Sequence, residues 1–472
     1  MSPVTNPGGQ PVAVSQRLGS GSVWNVSGGG QRRGSRFRYE NFVLDADTGT
    51  VTLTYSLDGR FFNERVNLSP GPHLTRPDVR AAVRLIFLLS GISYYKTAAP
   101  PLIDFGEIAL TDRERDFMRT YYVDGLAEFA YKNELDLSTL VLEASTRSAA
   151  PVTAVGAGSG RPLVPFGGGI DSIVVAEQVR RRHPELALFI ASRAGDRFAA
   201  IEAPAKTTGL PVLRAERELD GQVLRSQELG FLNGHVPVTG ILSSLAIATA
   251  LLDGRDAVVM SNEWSASSGT LEVDGRVINH QWSKSYEFER TFREVLSESV
   301  AGLEYFSALR PYSELWVAQR MAGLLDYHLV FRSCNRAFAL DPGSRLDRWC
   351  GQCDKCCFIN LILAPFVDRQ RLEQVFHGDE PLANRHLQDR FLSLLGDPAL
   401  VKPFECVGDE GECRVAVLLA ADRPDRGGTT MLQDLADGVR ADGRPVGSPD
   451  GLLQPLGPHF IPDDYAARDL LG

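Results

Sequence analysis

The sequence predicts an α/β protein: a doubly wound parallel sheet with a metal knuckle, preceded by a smaller α+β domain. Three observations predict it. Apolar runs at LVPF, ALFIAS, PVLRAE, DAVVMSN and YHLVFRSC alternate with helical segments such as VTGILSSLAIATALLDG and SELWVAQRMAGLLDYH, the order that builds a parallel sheet. Three consecutive glycines stand between the first run and a helix, in VPFGGGIDSIVVAEQVRRRHPE. All seven cysteines fall late in the chain, and three of them are evenly spaced.

Taken in order, residues 1–36 are rich in Gly, Ser, Asn and Pro and read as a flexible tail. From Phe37, FRYENFVLDADTGTVTLTYSLDGRFFNERVNL alternates apolar and polar residues, with turns at Asp47-Thr48-Gly49 and Leu57-Asp58-Gly59, a small antiparallel sheet. Pro77 opens a helix and another follows Thr111, so residues 37–155 make the α+β domain. Residues 156–333 carry the alternating strands and helices. A cysteine knuckle and helical region fill 334–422, and 423–472 read as a second tail.

The glycines sit at a strand-to-helix turn. Leu163 to Phe166 lead in as a buried strand, and Ile170, Ile173, Val174, Val175 and Val179 then repeat at helical spacing. Arg180 to Arg182 close the helix just before Pro184, where cations suit its negative end. Backbone amides of glycine approach a ligand closely, and the first helical turn adds unpaired N–H groups, so the turn is an anion cradle. No Gly-Lys-Ser/Thr follows, which excludes the familiar triphosphate loop. In a doubly wound sheet ligands bind beyond the carboxyl ends of the strands, which places Ser192, Arg193, Ser261, Asn262 and Glu263 on the ligand side.

GGGIDS resembles the Ser-Gly-Gly-x-Asp-Ser loop of the ATP pyrophosphatase (PP-loop) superfamily, with Gly167 in place of the leading serine. The resemblance implies a sheet of adenine nucleotide alpha hydrolase type and an enzyme that cuts ATP between the α and β phosphates to adenylate a substrate. It implies that Gly167, Gly168 and Gly169 cradle pyrophosphate oxygens, Ser172 adds a hydroxyl, and Asp171 helps position Mg2+.

Cys350, Cys353 and Cys356 form a C-x2-C-x2-C run, with Cys334 sixteen residues earlier at the end of the last predicted strand. Four such thiolates can complete a tetrahedron, and with no open position the metal is structural. Zn2+ is the simplest occupant, an iron–sulfur cluster uses the same ligands, and Cys357 can replace Cys356 in the set.

The 472 residues carry 49 basic and 59 acidic side chains, a net charge of −10, which argues against nucleic acid as the main partner. The amino terminus MSPVTNPGGQPVAV lacks a basic start followed by an apolar run, and the longest apolar stretch, Ile241 to Leu252, is too short to span a bilayer. We therefore expect no membrane partner and a cytoplasmic location.

FRYENF, SLDGRFF, GISYYK, FGGGIDS, INHQWSKSYEFE, RSCNRAF, WCGQCDKCCF and KPFECVGDEGEC together are similar to the ATP-dependent UDP-N-acetylmuramoyl-L-alanyl-L-glutamate epimerase family, MurL, over about Phe37 to Asp422. The resemblance implies inversion of the terminal L-glutamate of UDP-MurNAc-L-Ala-L-Glu to D-glutamate in bacterial peptidoglycan synthesis, with ATP becoming AMP and pyrophosphate. Adenylating the carboxylate removes the charge that would oppose a carbanion at Cα, which explains the ATP.

For the proton transfers, INHQWSKSYEFE offers His280, Lys284, Tyr286 and Glu287. Lys284 suits the α phosphate while His280 or Tyr286 moves a proton. His235 in NGHVPVTG is a further candidate. Cys406 and Cys413 could form a thiol pair across Cα, but Glu405, Asp409, Glu410 and Glu412 should oppose thiolate formation. Tyr94, Tyr95 and Lys96 of the amino-terminal domain could stack on uracil or meet a phosphate. A synthase of 7-cyano-7-deazaguanine synthase type and a non-catalytic ATP-binding module are the alternatives.

Overall fold

The computed structural model describes residues 33–339 and 341–466; residues 1–32 of the expected amino-terminal tail lie outside the described residues. Ten strands form one sheet. In chain order they are β1 (Arg36–Asp45), β2 (Thr50–Leu57), β3 (Arg60–Asn67), β4 (Leu102–Asp104), β5 (Val141–Glu143), β6 (Pro162–Pro165), β7 (Ala187–Ser192), β8 (Val212–Glu218), β9 (Ala257–Met260) and β10 (Glu304–Ser307). Across the sheet the order is β10-β9-β6-β7-β8-β3-β2-β1-β4-β5. From β10 to β8 all neighbours are parallel, as expected. The chain starts that half in the middle at β6, lays β7 and β8 to one side, then crosses to place β9 and β10 on the other. The strand order therefore reverses between β6 and β9, where a doubly wound sheet opens a crevice.

The amino-terminal strands β1 to β3 are the expected antiparallel meander. Asp58 and Gly59, both at positive φ, make the tight turn between β2 and β3. The expected boundary near residue 155 does not separate two sheets. β3 pairs antiparallel with β8, Val66 opposite Arg217, so main-chain hydrogen bonds run straight across it. Beside that seam the fully buried Glu64 accepts from Arg217 Nε at 2.6 Å and from Tyr94 Oη at 2.8 Å.

Each central strand feeds two cores. Leu163 and Val164, Phe189 and Ile190, Val258 and Val259, Tyr305 and Phe306 point alternately to opposite faces, the period-two pattern of a sheet covered on both sides. One face is covered by α1 (Pro77–Ser90), α2 (Val238–Leu252) and α3 (Tyr286–Ser297). The other core is built with the helices Ile170–Val179, Ala199–Thr208, Glu314–Ala322, Asp354–Leu363 and Glu410–Ala421, and each large apolar side chain buried there contributes about 1.5–3 kcal/mol.

Three expectations are corrected. YHLVFRSC is no strand: Leu325–Tyr327 is a 3-10 turn and the segment is apolar because Tyr327, Phe331 and Cys334 pack into the core. The fifth parallel strand is β10, EYFS, four residues too short to stand out in the sequence. The expected carboxyl-terminal tail packs instead over its described residues 423–466, with Met431, Leu432, Leu435, Ala436 and Val439 of the helix Thr430–Ala441 buried, and Tyr465 stacked on His183; residues 467–472 lie outside the described residues. Tyr94 and Tyr95 are fully buried in an aromatic cluster and Lys96 bonds Asn233 and Gly234, so this trio is structural.

Candidate active site

The glycine turn follows β6 and opens the helix Ile170–Val179, placing it at the crevice. Gly168 has φ +75, and a Cβ there would lie 2.4 Å from the Ala200 carbonyl oxygen, so only glycine fits. Gly167 faces open space. Gly169 is the N-cap and offers no side chain to the first-turn amides. Ser172 Oγ donates to the Gly169 carbonyl at 3.1 Å, which fastens the loop to its own helix.

Behind the loop, Asp171, Glu263 and Glu314 bring carboxylate oxygens within 4.8 Å of one another. Glu263 leaves the end of β9, and Glu314 opens the helix Glu314–Ala322 capped by Ser313. Burial and the neighbouring Glu263 raise Asp171 to about 7 against the pull of Lys355 and Lys284. Burial, Asp171 and Glu263 push Glu314 well above the carboxylate range. Asp171 Oδ1 and Glu314 Oε2 are buried with no hydrogen-bond partner. Three crowded, partly unsatisfied carboxylates fit a hard divalent cation such as Mg2+.

A cavity of about 460 Å³ joins this group to a thiol. Gly167, Gly169, Asp171, Asn262, Lys284, Lys355 and Cys406 all line it. Lys284 Nζ lies 3.3 Å from Cys406 Sγ, and Lys355 donates to the Cys406 carbonyl. His280 bonds Glu128 through Nδ1, while the His235 ring lies over it with centroids 4.2 Å apart.

The charges follow from these contacts. Burial would hold the Cys406 thiol neutral, but Lys284, His280 and Lys355 bring it down to about 6. Burial would discharge His280, yet Cys406 and Glu128 push it up to about 9. Burial and the charge of His280 bring His235 down to about 4, so that ring is neutral. The expectation that nearby acidic residues suppress a Cys406 thiolate is thus overturned. Asp409 caps the next helix and Glu405 bonds Asn335, so the carboxylates close in sequence are occupied elsewhere.

Arg310, fully buried, holds the two loops of the site in place. Its Nε donates to Glu289 at 2.9 Å, Nη1 to the Glu263 carbonyl at 2.9 Å and Nη2 to the Lys284 carbonyl at 2.5 Å.

Not every candidate converges. Tyr286 stacks on Phe460 with centroids 5.1 Å apart, outside the cavity lining. Ser192 ends β7 and accepts from Arg197 at 3.2 Å, also outside it. Cys413 lies in the core with its thiol raised by burial, so no thiol pair forms with Cys406. Lys355, Glu128, Glu314 and Arg310 were not read as site residues. Lys355 alone carried a local signal, a cation inside the cysteine run.

The sulfurs of Cys334, Cys350, Cys353 and Cys356 lie within 4.8 Å of one another, with 3.5 Å from Cys353 to Cys356 and 3.7 Å from Cys350 to Cys356. A tetrahedral zinc with bonds of about 2.3 Å sets its sulfurs about 3.8 Å apart, so the set fits. Cys357 points into the core instead and is pushed up to about 12 by burial.

Residues 30–308 match the family described as MurL N-terminal domain, and residues 330–446 the one described as MurL C-terminal domain. The chain is similar to proteins named UDP-N-acetyl-alpha-D-muramoyl-L-alanyl-L-glutamate epimerase. That of Salinispora tropica is 38% identical over 457 residues, 93% of this chain and 96% of the relative. That of Xanthomonas oryzae pv. oryzae is 38% identical over 401 residues, 82% and 86%, and that of a Micromonospora species 36% over 449 residues, 92% and 98%. With a family match across more than half its length and such relatives end to end, the chain belongs to the MurL family.

Proposed function

We propose that this chain inverts the terminal L-glutamate of UDP-MurNAc-L-Ala-L-Glu to D-glutamate for peptidoglycan precursor synthesis, activating the carboxylate with ATP. The epimerase activity rests on near full-length identity to relatives so named. The single observation that carries ATP use is one cavity at the sheet's crevice lined by the glycine turn, Asp171 and two lysines, with Glu263 and Glu314 set against that carboxylate.

In this reading the amides at Gly167 to Gly169 take pyrophosphate oxygens. Asp171, Glu263 and Glu314 would hold Mg2+, which supplies charge neutralisation on the phosphates. Lys284 and Lys355 bring cations to the leaving side of the carboxyl carbon. Adenylation turns a carboxylate into an acyl group whose Cα–H ionises without building a dianion. The cysteine tetrad holds a structural Zn2+ beside Lys355. ATP and a UDP-activated precursor as reactants suit the cytoplasm, and no helix among the described residues is long and apolar enough to cross a membrane.

Incubation of UDP-MurNAc-L-Ala-L-Glu with ATP and Mg2+ in deuterated water tests the reading. It should give the D-glutamyl product with deuterium at Cα, together with AMP and pyrophosphate. An unexchanged L-centre beside steady AMP release would point to a synthase. No AMP in the presence of substrate would leave only a nucleotide-binding module.

A further inference from the structure

Glu128, His280 and Cys406 come from three distant stretches of chain and form one relay. His280 bonds Glu128 through Nδ1, and its charge and that of the Cys406 thiolate support each other. A nucleophile whose charge is coupled to a base that a carboxylate orients is the signature of covalent catalysis. Lys284 Nζ stands 3.3 Å from the sulfur, and the sulfur lines the cavity that holds the glycine turn and Asp171. Cys413 shows what packing alone does to a thiol in this chain: it sits in the apolar core, and burial raises it. Cys406 is built differently.

We propose that Cys406 is an acyl acceptor, its sulfur taking the activated α-carboxyl group of the glutamate as a thioester on which inversion occurs. The proposal rests on the adenylation reading above. A thiolate held by cations is a weak base toward a carbon acid, but it remains a nucleophile and leaves readily. In the first step Cys406 Sγ attacks the acyl carbon of the adenylate. The C–S bond forms, the C–O bond to the phosphate breaks, and the electron pair departs on AMP. The Cα hydrogen then lies beside a thioester carbonyl with no phosphate charge to oppose the carbanion. Acylation also removes the anion that kept His280 charged, so the imidazole releases its proton to solvent. The neutral His280 takes the Cα proton while the electron pair rests on the thioester oxygen, water on the opposite face returns a proton to Cα, and the hydroxide so left takes the proton from His280. Water then adds to the acyl carbon, His280 takes one proton of that water, and the C–S bond breaks with its electron pair returning to Sγ. The carboxylic acid gives its proton to solvent, and the thiolate–imidazolium pair is restored.

The test uses the full chain with UDP-MurNAc-L-Ala-L-Glu, ATP and Mg2+, acid-quenched within one turnover. Intact mass should show an adduct equal to the muropeptide less one water, mapped to Cys406 and released by hydroxylamine. Cys406→Ala should lower Cα deuterium exchange by on the order of 10³-fold or more. AMP formation by the wild type without an adduct overturns the thioester alone, and an inactive Cys406→Ala would then mark the sulfur as a proton carrier. Cys406→Ala that exchanges deuterium at the wild-type rate overturns any role for the sulfur. A wild type that forms no AMP sinks the adenylation reading and the thioester with it.

Discussion

Replacing Lys284 with methionine should raise the Cys406 thiol and slow its alkylation at neutral pH. In the native site the thiol stands at about 6, held there against burial chiefly by the Lys284 ammonium 3.3 Å away. Two unit charges at that distance attract by about 5 kcal/mol at an effective dielectric constant of about 20, and by about 1.3 kcal/mol in water. At about 1.4 kcal/mol per pH unit, the span is about one to about four units. His280 and Lys355 remain beside the sulfur, so the lower half of that span applies and the midpoint moves to about 7 to 8. The sign is fixed: a lost cation destabilises the thiolate, so the midpoint can only rise. The assay is the pH dependence of iodoacetamide labelling at Cys406, followed by peptide mass, with Cys406→Ala as blank. At pH 7 the wild-type thiol is about ten parts ionised to one, and the variant should label several-fold more slowly. A midpoint that stays near that of the wild type while the variant keeps its melting temperature would refute the ion-pair reasoning.

Asp171→Asn should reduce AMP and pyrophosphate formation by about a hundredfold or more, yet leave the melting temperature unchanged or higher because it removes a desolvated carboxyl crowded by two others; a fall in melting temperature with activity intact would contradict both halves. Cys353→Ser should lose about one zinc per chain by elemental analysis and melt earlier, whereas unchanged zinc and stability would remove the tetrad from consideration. Glu128→Gln should lower His280 from about 9, moving the alkaline limb of the pH–rate profile down, since the carboxylate helps to keep the imidazole charged; an alkaline limb that does not move would separate Glu128 from the relay. Glu64→Ala should cost about 3–5 kcal/mol in urea unfolding because it strands the buried Arg217 guanidinium, and a loss below about 1 kcal/mol would mean that water reaches the seam.

What could be read in the sequence was what lies close together along it. The glycine turn and the spacing of Cys350, Cys353 and Cys356 are local, and each landed on a ligand-competent geometry. The relay is not local: Glu128 and His280 are 152 residues apart, and Lys284 and Cys406 are 122 apart. No period or motif records such a meeting, because the sheet brings it about. Proximity also misled in the other direction. The carboxylates around Cys406 suggested repulsion, but they are spent on a helix cap and on Asn335. The apolar run at Tyr327 to Cys334 was misread because burial and strand formation select the same residues. Ser172, expected to offer a hydroxyl to a ligand, has it tied to the Gly169 carbonyl.

The seam between β3 and β8 bears on how the site can change shape. Chains that carry two ligand-binding halves commonly clamp by swinging one half against the other about a linker. Here the would-be hinge is a hydrogen-bonded strand pair braced by Glu64 and Arg217, and swinging it would tear the ladder and part a desolvated ion pair. The halves must travel as one plate. Any change of shape at the cavity is then left to the stretches outside the sheet that bring Ser333, Lys355 and Cys406 to its lining.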